Sequence, residues 1–373
     1  MRCVVATLLA CAISAHAQSG GTWQTLAPMP SARQEISTAV LDGKIYVIAG
    51  YDVNGASTTT VEVYNPNTDT WSSAEPIPIA NNHNNAAVAA GKLYTFGGLS
   101  NRTFVYDPAT DSWADVAPMN FTHGGTAAVG VLNNKIYVAG GTGGTERELE
   151  VYDPTENSWT VLAPMSVGRN HTGGAFIGGK FYVVGGRGSA AAPTALERYD
   201  PQMNTWTTRA PMPTGRSGIG VAAVNGELFV FGGEIPQLHA EVEAYSPLTN
   251  TWRTLPNMPN PRHGLWASVI GTAVYLPGGG SQQGFGATNL NEVFVPTPLA
   301  LPRIEAVMLQ EGVFQISFST VADASYTLQG NVGFHPDNWS NISSAPGTGV
   351  TLTLQDSAPG VAPKFYRVLA QRP

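Results

Sequence analysis

A chain of 373 residues with a formal net charge of −7 and only five lysines has no basic stripe to neutralise phosphates, which speaks against a nucleic-acid partner. Its 42 glycines and 27 prolines, set against 12% charged residues, read as many short strands joined by many turns. No apolar run long enough to span a bilayer follows the N-terminal segment.

That segment reads as a processing signal over residues 1–17. Arg2 supplies positive charge, Val4 to Ile13 is a short apolar run, and Ala15-His16-Ala17 is a small-x-small cleavage site ahead of Gln18. The expectation is a secreted or periplasmic protein. Leu8-Leu9-Ala10-Cys11 is a competing lipidation box, placed very early for that role. Cys3 and Cys11 are the only cysteines, so the processed chain is expected to have no thiol, disulfide or cysteine metal ligand.

From Trp23 onward the chain repeats. Tryptophans stand at Trp23, Trp71, Trp113, Trp159, Trp206 and Trp252. Glycine pairs end apolar runs at Gly97-Gly98, Gly140-Gly141, Gly185-Gly186, Gly232-Gly233 and Gly278-Gly279, with Ala49-Gly50 as a degenerate first copy. Between them lie Tyr64, Tyr106, Tyr152, Tyr199, Tyr245 and Phe294, and each tyrosine precedes the next tryptophan by a constant interval that implies a tight hairpin. Each unit therefore reads as four strands: a small-residue strand A, a strand B ending in the glycines, a tyrosine strand C and a tryptophan strand D. The sixth unit takes Trp266-Ala267-Ser268-Val269 as A, Ala273 to Gly279 as B and Asn291 to Val295 as C, and has no tryptophan strand. The orphan segment Thr22 to Leu26 is expected to complete it, closing the ring without exposed sheet edges.

Double glycine, then tyrosine, then tryptophan, at a period near 50, resembles the kelch repeat. The resemblance covers residues 21–299 and implies an all-β, six-bladed kelch-type β-propeller closed by its N-terminal strand. From Leu301 the period disappears. Alternating runs at Phe314 to Phe318, Tyr326 to Leu328, Val350 to Leu354 and Phe365 to Val368, with Trp339 between, predict a small β-sandwich of six or seven strands over 301–373. Its Tyr-Thr-Leu-Gln, Asn-Trp and Phe-Tyr-Arg-Val stretches resemble a C-terminal module common on exported bacterial proteins.

If A through D run antiparallel, the start of A, the end of B and the B–C loops share one face. Those loops vary in length while the turns of the other face are short and regular, so binding is expected on the loop side. Aligning the units on the Pro-Met ahead of A gives one column, Arg33, Asn81, His123, Arg169, Arg216 and Arg262. The favoured reading of its arginines is structural, through neighbouring loops or strand C carboxylates. Two residues on stand Glu35, His83, Gly125, His171, Gly218 and Gly264. Period-two geometry places both columns toward the channel. Residues that differ between equivalent blades are the better functional candidates: Glu35, His83, His123, His171 and, one step out of phase, His263. Loop candidates are Tyr51, Arg102, Glu146, Arg147, Arg187, Glu234 and His239, and Trp266 either plugs the channel or offers a stacking platform for a sugar. The ligand-binding candidates are thus Arg33, Glu35, His83, His123, Arg169, His171, Arg187, Arg216, Glu234, Arg262, His263 and Trp266.

The leading functional expectation is a non-catalytic binding module for a glycan, peptide or surface partner. In kelch-like ubiquitin-ligase adaptors the resembling surface grips peptides. The alternative is a carbohydrate-active enzyme resembling exported six-bladed kelch epimerases of sialic-acid anomers, for which Glu35, Glu234, His83 and Arg187 could supply proton transfer and carboxylate binding. No family-specific motif marks a catalytic residue. A copper radical oxidase resembling galactose oxidase is disfavoured, because that family crosslinks a tyrosine to a cysteine. No cofactor is assigned. A metal set of His83, His123 and His171 is the one arrangement considered, and the divergence of neighbouring inner strands speaks against it.

Overall fold

The computed structural model describes residues 20–188, 193–297, 303–310, 312–320, 324–332, 339–358 and 364–371, so the processing segment lies outside the described residues. Six four-stranded antiparallel sheets follow one another along the chain. In blade one, strands A to D are Ser37–Leu41, Lys44–Ile48, Val61–Asn65 and Thr70–Ala74. The sixth sheet is completed from the other end of the chain: Gly21–Thr25 pairs antiparallel with Asn291–Pro296, Trp23 opposite Phe294. Each strand A contacts strand A of the next blade, and Ser268–Ile270 of blade six contacts Ser37–Leu41 of blade one. The six inner strands therefore close a ring around a central channel.

The cores lie between blades rather than within them. Tyr106 of blade two joins Ile48 and Val63 of blade one, and Ile270 and Tyr275 of blade six join Ile45 and Tyr64 of blade one. Each strand D tryptophan also donates its indole N–H to a carbonyl at the outer edge of the preceding blade, from Trp71 to Ala27 (2.9 Å) through Trp252 to Ala210 (2.9 Å) and Trp23 to Pro256 (3.1 Å). The repeat's tryptophan is thus an inter-blade bond as well as a packing surface.

The first column is where the strand-period expectation fails. Strand A starts at Ser37, four residues after Arg33, so the stretch between them is not pleated. Arg33, Arg169, Arg216, Arg262 and His123 turn away from the channel and are almost wholly buried. Each pairs with a strand C carboxylate two residues before the aromatic: Glu62 (2.7 Å), Glu197 (2.8 Å), Glu243 (2.5 Å), Glu292 (2.6 Å) and Glu150 (3.1 Å) respectively. The same side chains donate to the carbonyl of the residue ending strand B, at Ala49, Gly185, Gly232, Gly278 and Gly140. Blade two substitutes both partners at once: Asn81 still reaches the Gly97 carbonyl (2.9 Å), and Phe104 occupies the carboxylate position. These five residues are removed from the ligand-binding candidates. They stitch strands A, B and C together inside each blade.

The C-terminal stretch forms two three-stranded sheets. One is Ile304–Gln310, Val313–Ser319 and Thr351–Asp356, and the other Ser340–Pro346, Ser325–Val332 and Lys364–Gln371. Ile316, Phe318 and Leu354 from the first share a core with Tyr326 and Leu328 from the second. Two of these strands, Ile304–Gln310 and Ser340–Pro346, carry no alternation strong enough to be read in advance.

Removing one member of a buried charge pair leaves its partner desolvated and uncompensated, whereas replacing both does not. Glu243→Ala in blade five is expected to cost about 3–5 kcal/mol. The double variant Arg216→Asn/Glu243→Phe, patterned on blade two, is expected to cost less. Urea unfolding of the two variants beside wild type measures the order.

Candidate functional site

The second column lines the channel in a conformation that the sequence does not announce. Glu35, His83 and His171 have φ of 51°, 49° and 50°, and Gly125, Gly218 and Gly264 have 59°, 63° and 56°. All six are left-handed, and their backbones are linked across blades. The N–H of His83 donates to the Glu35 carbonyl (2.9 Å), Glu35 to Gly264 (2.8 Å), Gly264 to Gly218 (2.9 Å), Gly218 to His171 (2.9 Å) and His171 to Gly125 (2.5 Å). These bonds make a collar at the channel mouth. Glycine is the residue this conformation favours, and a side chain there costs about 1–2 kcal/mol. Blades three, five and six obey that preference. Blades one, two and four do not, and the three side chains they place there converge.

Ligand atoms of Glu35, His83 and His171 all lie within 4.8 Å of one another. His83 Nε2 is 3.2 Å from Glu35 Oε2, and the two imidazoles meet edge to face at 4.9 Å. Glu35 is almost wholly buried, and its carboxylate fills the space beside Gly264, where a Cβ would fall 2.5 Å from Oε1. His263 Nδ1 stands 3.4 Å from that oxygen and 3.7 Å from Glu234 Oε1. Glu234 in turn holds Arg187 at 2.6 Å. His83 has the most exposed side chain of the central trio, and the edge of its ring meets Tyr51.

Two asparagines orient the histidines. Asn170 donates from Nδ2 to the Glu146 carboxylate (2.6 Å), which can only accept, so its carbonyl oxygen faces His171 Nδ1 at 2.6 Å. The Nδ1 proton of His171 is thereby engaged, and Nε2 presents a lone pair inward. Blade two repeats the arrangement, with Asn82 bonded to Ser57 (2.7 Å) and to His83 Nδ1 (2.5 Å).

Charge is distributed unevenly over the cluster. Burial pushes the Glu35 carboxyl upward, but His83, His171 and His263 outweigh it and hold the group at about 2. Burial pushes the His171 imidazole down to about 4 against the opposing pull of Glu35, with Arg187 and His83 adding to the fall. His263 is raised despite its burial, through its contact with Glu35 and the charge of Glu234. Its Nε2 faces the Gln282 carbonyl at 2.9 Å, so that nitrogen is a donor. Glu234 is held low against burial by Arg187 and the Gly284 N–H. The centre at neutral pH is an ionised Glu35 carboxylate beside a neutral His171 imidazole, with the Arg187 guanidinium and the upward-shifted His263 on one side.

The blade-six loop closes that side. Gln34 bonds the Gly284 carbonyl (3.0 Å) and the Gly286 N–H (2.7 Å), while Glu234 accepts from Gly284 (2.7 Å). Beneath the collar, Trp266 and inner residues such as Thr126, Val129, Thr172, Ile219 and Val221 leave about 20 Å³, room for one water. Trp266 precedes strand A of blade six, which is only Ser268–Ile270, and it lines this cavity, half-buried.

The structure thus brings together Glu35, His83, His171, Arg187, Glu234 and His263, with Tyr51 and Glu146 at the edge. Arg102 pairs with Asp115 on strand D, Arg147 bonds the Met165 carbonyl, and His239 pairs with Glu241. His123 does not join His83 and His171; Glu35 takes its place. Gln34, Asn82 and Asn170 were missed as site residues. The paired Asn-His dipeptides of blades two and four were a visible signal for two of them.

Fold and site together define a six-bladed propeller with a polar, carboxylate-centred mouth. Three family models match the chain: the KLHDC2/KLHL20/DRC7 Kelch-repeats domain over residues 120–279, and two Kelch motif models over 32–78 and 81–120. The chain is a kelch-repeat protein. Among solved structures, "Structure of YjhT" superposes with a TM-score of 0.60 at 17% identity, covering 71% of this chain and 96% of that one, a likeness of fold. No curated protein matches the sequence.

The collar makes a test independent of any ligand. His83→Gly is expected to be more stable than His83→Ala by about 1 kcal/mol, the reverse of the order in an ordinary strand. Thermal unfolding of both variants measures this, and an alanine variant equal to or above glycine refutes the left-handed geometry.

Proposed function

We propose that this kelch propeller is a binding module whose partner docks on the B–C loop face and sends a polar group into the Glu35–His83–His171 mouth. The observation that carries this reading is the collar. Three blades keep side chains where the backbone favours glycine, and those three converge at the accessible end of the channel. Side chains kept at a left-handed position that the equivalent place in three other blades gives to glycine, and converging at one point, support use rather than folding.

The loops around the mouth favour a protein or peptide over a glycan. Val53, Leu99, Ile235 and Phe285 sit in four different B–C loops and are exposed. Three of them are aliphatic, suited to side-chain burial and poor platforms for sugar rings. Trp266, the aromatic best suited to stacking on a sugar, lines the small cavity beneath the collar, which supports the plug over the platform. Segment 1–17, read as a processing signal, supports an activity outside the cytoplasm, and N-terminal sequencing of the processed protein is expected to begin at Gln18.

A second reading has one observation in its favour. A carboxylate and an imidazole 3.2 Å apart are the pair that proton transfer at a sugar carbon requires. That reading is the sialic-acid epimerase type of activity, and anomer exchange followed by NMR tests it.

Selection of displayed peptides against residues 18–373 is expected to enrich binders that lose at least tenfold in affinity for Leu99→Asp/Phe285→Asp and for His83→Gly. Glycan-array binding that survives the Leu99→Asp/Phe285→Asp change refutes the peptide assignment.

A further inference from the structure

The geometry points to a divalent transition-metal site at the channel mouth, formed by Glu35, His83 and His171, with zinc as the ion that its ligand types fit. The inference goes beyond the binding reading and concerns the protein alone, whatever its partner.

Three observations converge. The first is the donor set. One carboxylate oxygen and two imidazole nitrogens, from blades one, two and four, lie within 4.8 Å of one another. Tetrahedral ligands at about 2.0–2.2 Å from zinc are separated from each other by roughly 3.3–3.5 Å. Glu35 Oε2 and His83 Nε2 are already 3.2 Å apart, so only His171 has to approach. That approach falls to its side-chain torsions, since the bond from its N–H to the Gly125 carbonyl holds its backbone.

The second is the outer shell. Metal-bound histidines characteristically donate their other ring proton to an oxygen, which fixes tautomer and orientation. Both histidines here do so, to the side-chain carbonyls of Asn170 and Asn82. Asn170 is itself locked by Glu146, and Asn82 by Ser57. The two chains of residues, Glu146–Asn170–His171 and Ser57–Asn82–His83, repeat one design in separate blades. Neither is needed to close the propeller, because blades three, five and six have glycine at the histidine position.

The third is Glu35 itself. Its side chain is 5% exposed, and Oε2 makes no hydrogen bond although it is sealed from water. The other oxygen faces His263, leaving Oε2 directed at the two imidazoles. A sealed carboxylate oxygen without a hydrogen bond, met by ring nitrogens of two histidines, is a place for a cation. The competing explanation is a proton on His83 Nε2 paired with Glu35, which would satisfy two of the three groups and leave His171 Nε2 unused.

Two nitrogen ligands and one oxygen suit zinc and its first-row neighbours, while calcium and magnesium take all-oxygen sets. Three protein ligands leave a coordination position open. The blade-six loop covers the His263 side, so that position faces the mouth beside His83, where an incoming carboxylate, carbonyl or water could occupy it.

The test uses residues 18–373 stripped with chelator and titrated with zinc by calorimetry, with metal content measured after dialysis. One zinc per chain is expected for wild type. His83→Gly and His171→Gly, both substitutions that other blades carry naturally, are expected to abolish binding. Asn170→Ala retains all three ligands and is expected to weaken binding by 10–100-fold, a change that a merely structural role would not produce. Cobalt in place of zinc should give a visible absorption spectrum that His171→Gly removes. Zinc binding unchanged in the two glycine variants, less than a fifth of an ion per folded chain, or a preference for magnesium or calcium over zinc would each overturn the assignment. Absence of zinc binding by the wild-type protein would leave the Leu99→Asp/Phe285→Asp arm of the peptide selection untouched, so the two readings fail separately.

Discussion

The structure depends on one side chain at the start of each strand A. In every blade it donates to the carbonyl that ends strand B, and in five of the six it also meets a carboxylate on strand C. Those bonds satisfy a buried carbonyl at a turn where backbone partners run out, and they tie three strands at the end of the blade that carries the loops. Arginine dominates the position because its planar fork reaches carbonyl and carboxylate together. His123 does the same with its two ring nitrogens. Blade two reaches the carbonyl with an asparagine and fills the carboxylate position with Phe104, which shows that the carbonyl bond is the invariant part of the arrangement.

With the first column anchored inward, the chain must turn before strand A can begin, and the turn is the left-handed residue two positions on. The collar of inter-blade backbone bonds follows from that. So does the site, since a left-handed residue aims its side chain into the mouth rather than along a pleated strand. Structural and functional positions are thus neighbours in sequence with opposite roles. Arg33 holds blade one together, Gln34 fastens the blade-six loop, and Glu35 stands at the centre of the mouth.

Much of this was legible in advance. The tryptophan and tyrosine intervals located the strands, the missing sixth tryptophan predicted closure by Trp23, and comparison of unlike residues at like positions singled out Glu35, His83 and His171. The strand C carboxylates favoured as partners of Arg33, Arg169, Arg216 and Arg262 are the ones they meet; what misled was the assumption of unbroken pleating, which faced them to the channel and kept them among the ligand candidates. A left-handed residue breaks the pleat, and glycine, asparagine and aspartate advertise one in a sequence far more clearly than glutamate does. Half of the collar hides behind glutamate and histidine.

Composition, repeat spacing and aromatic pattern by themselves determined the propeller and the end of each blade that carries the long loops, because those are set by local strand geometry and by the need to bury the same large side chains in every blade. Only the tertiary structure decided which residues meet. Glu35, His83 and His171 are 48 and 88 residues apart along the chain, and their approach depends on ring closure and on backbone torsions that no local signal records. His123 went to a buried carboxylate instead, because it stands in the first column, two residues before the collar, where Arg33 and its equivalents make the same contacts.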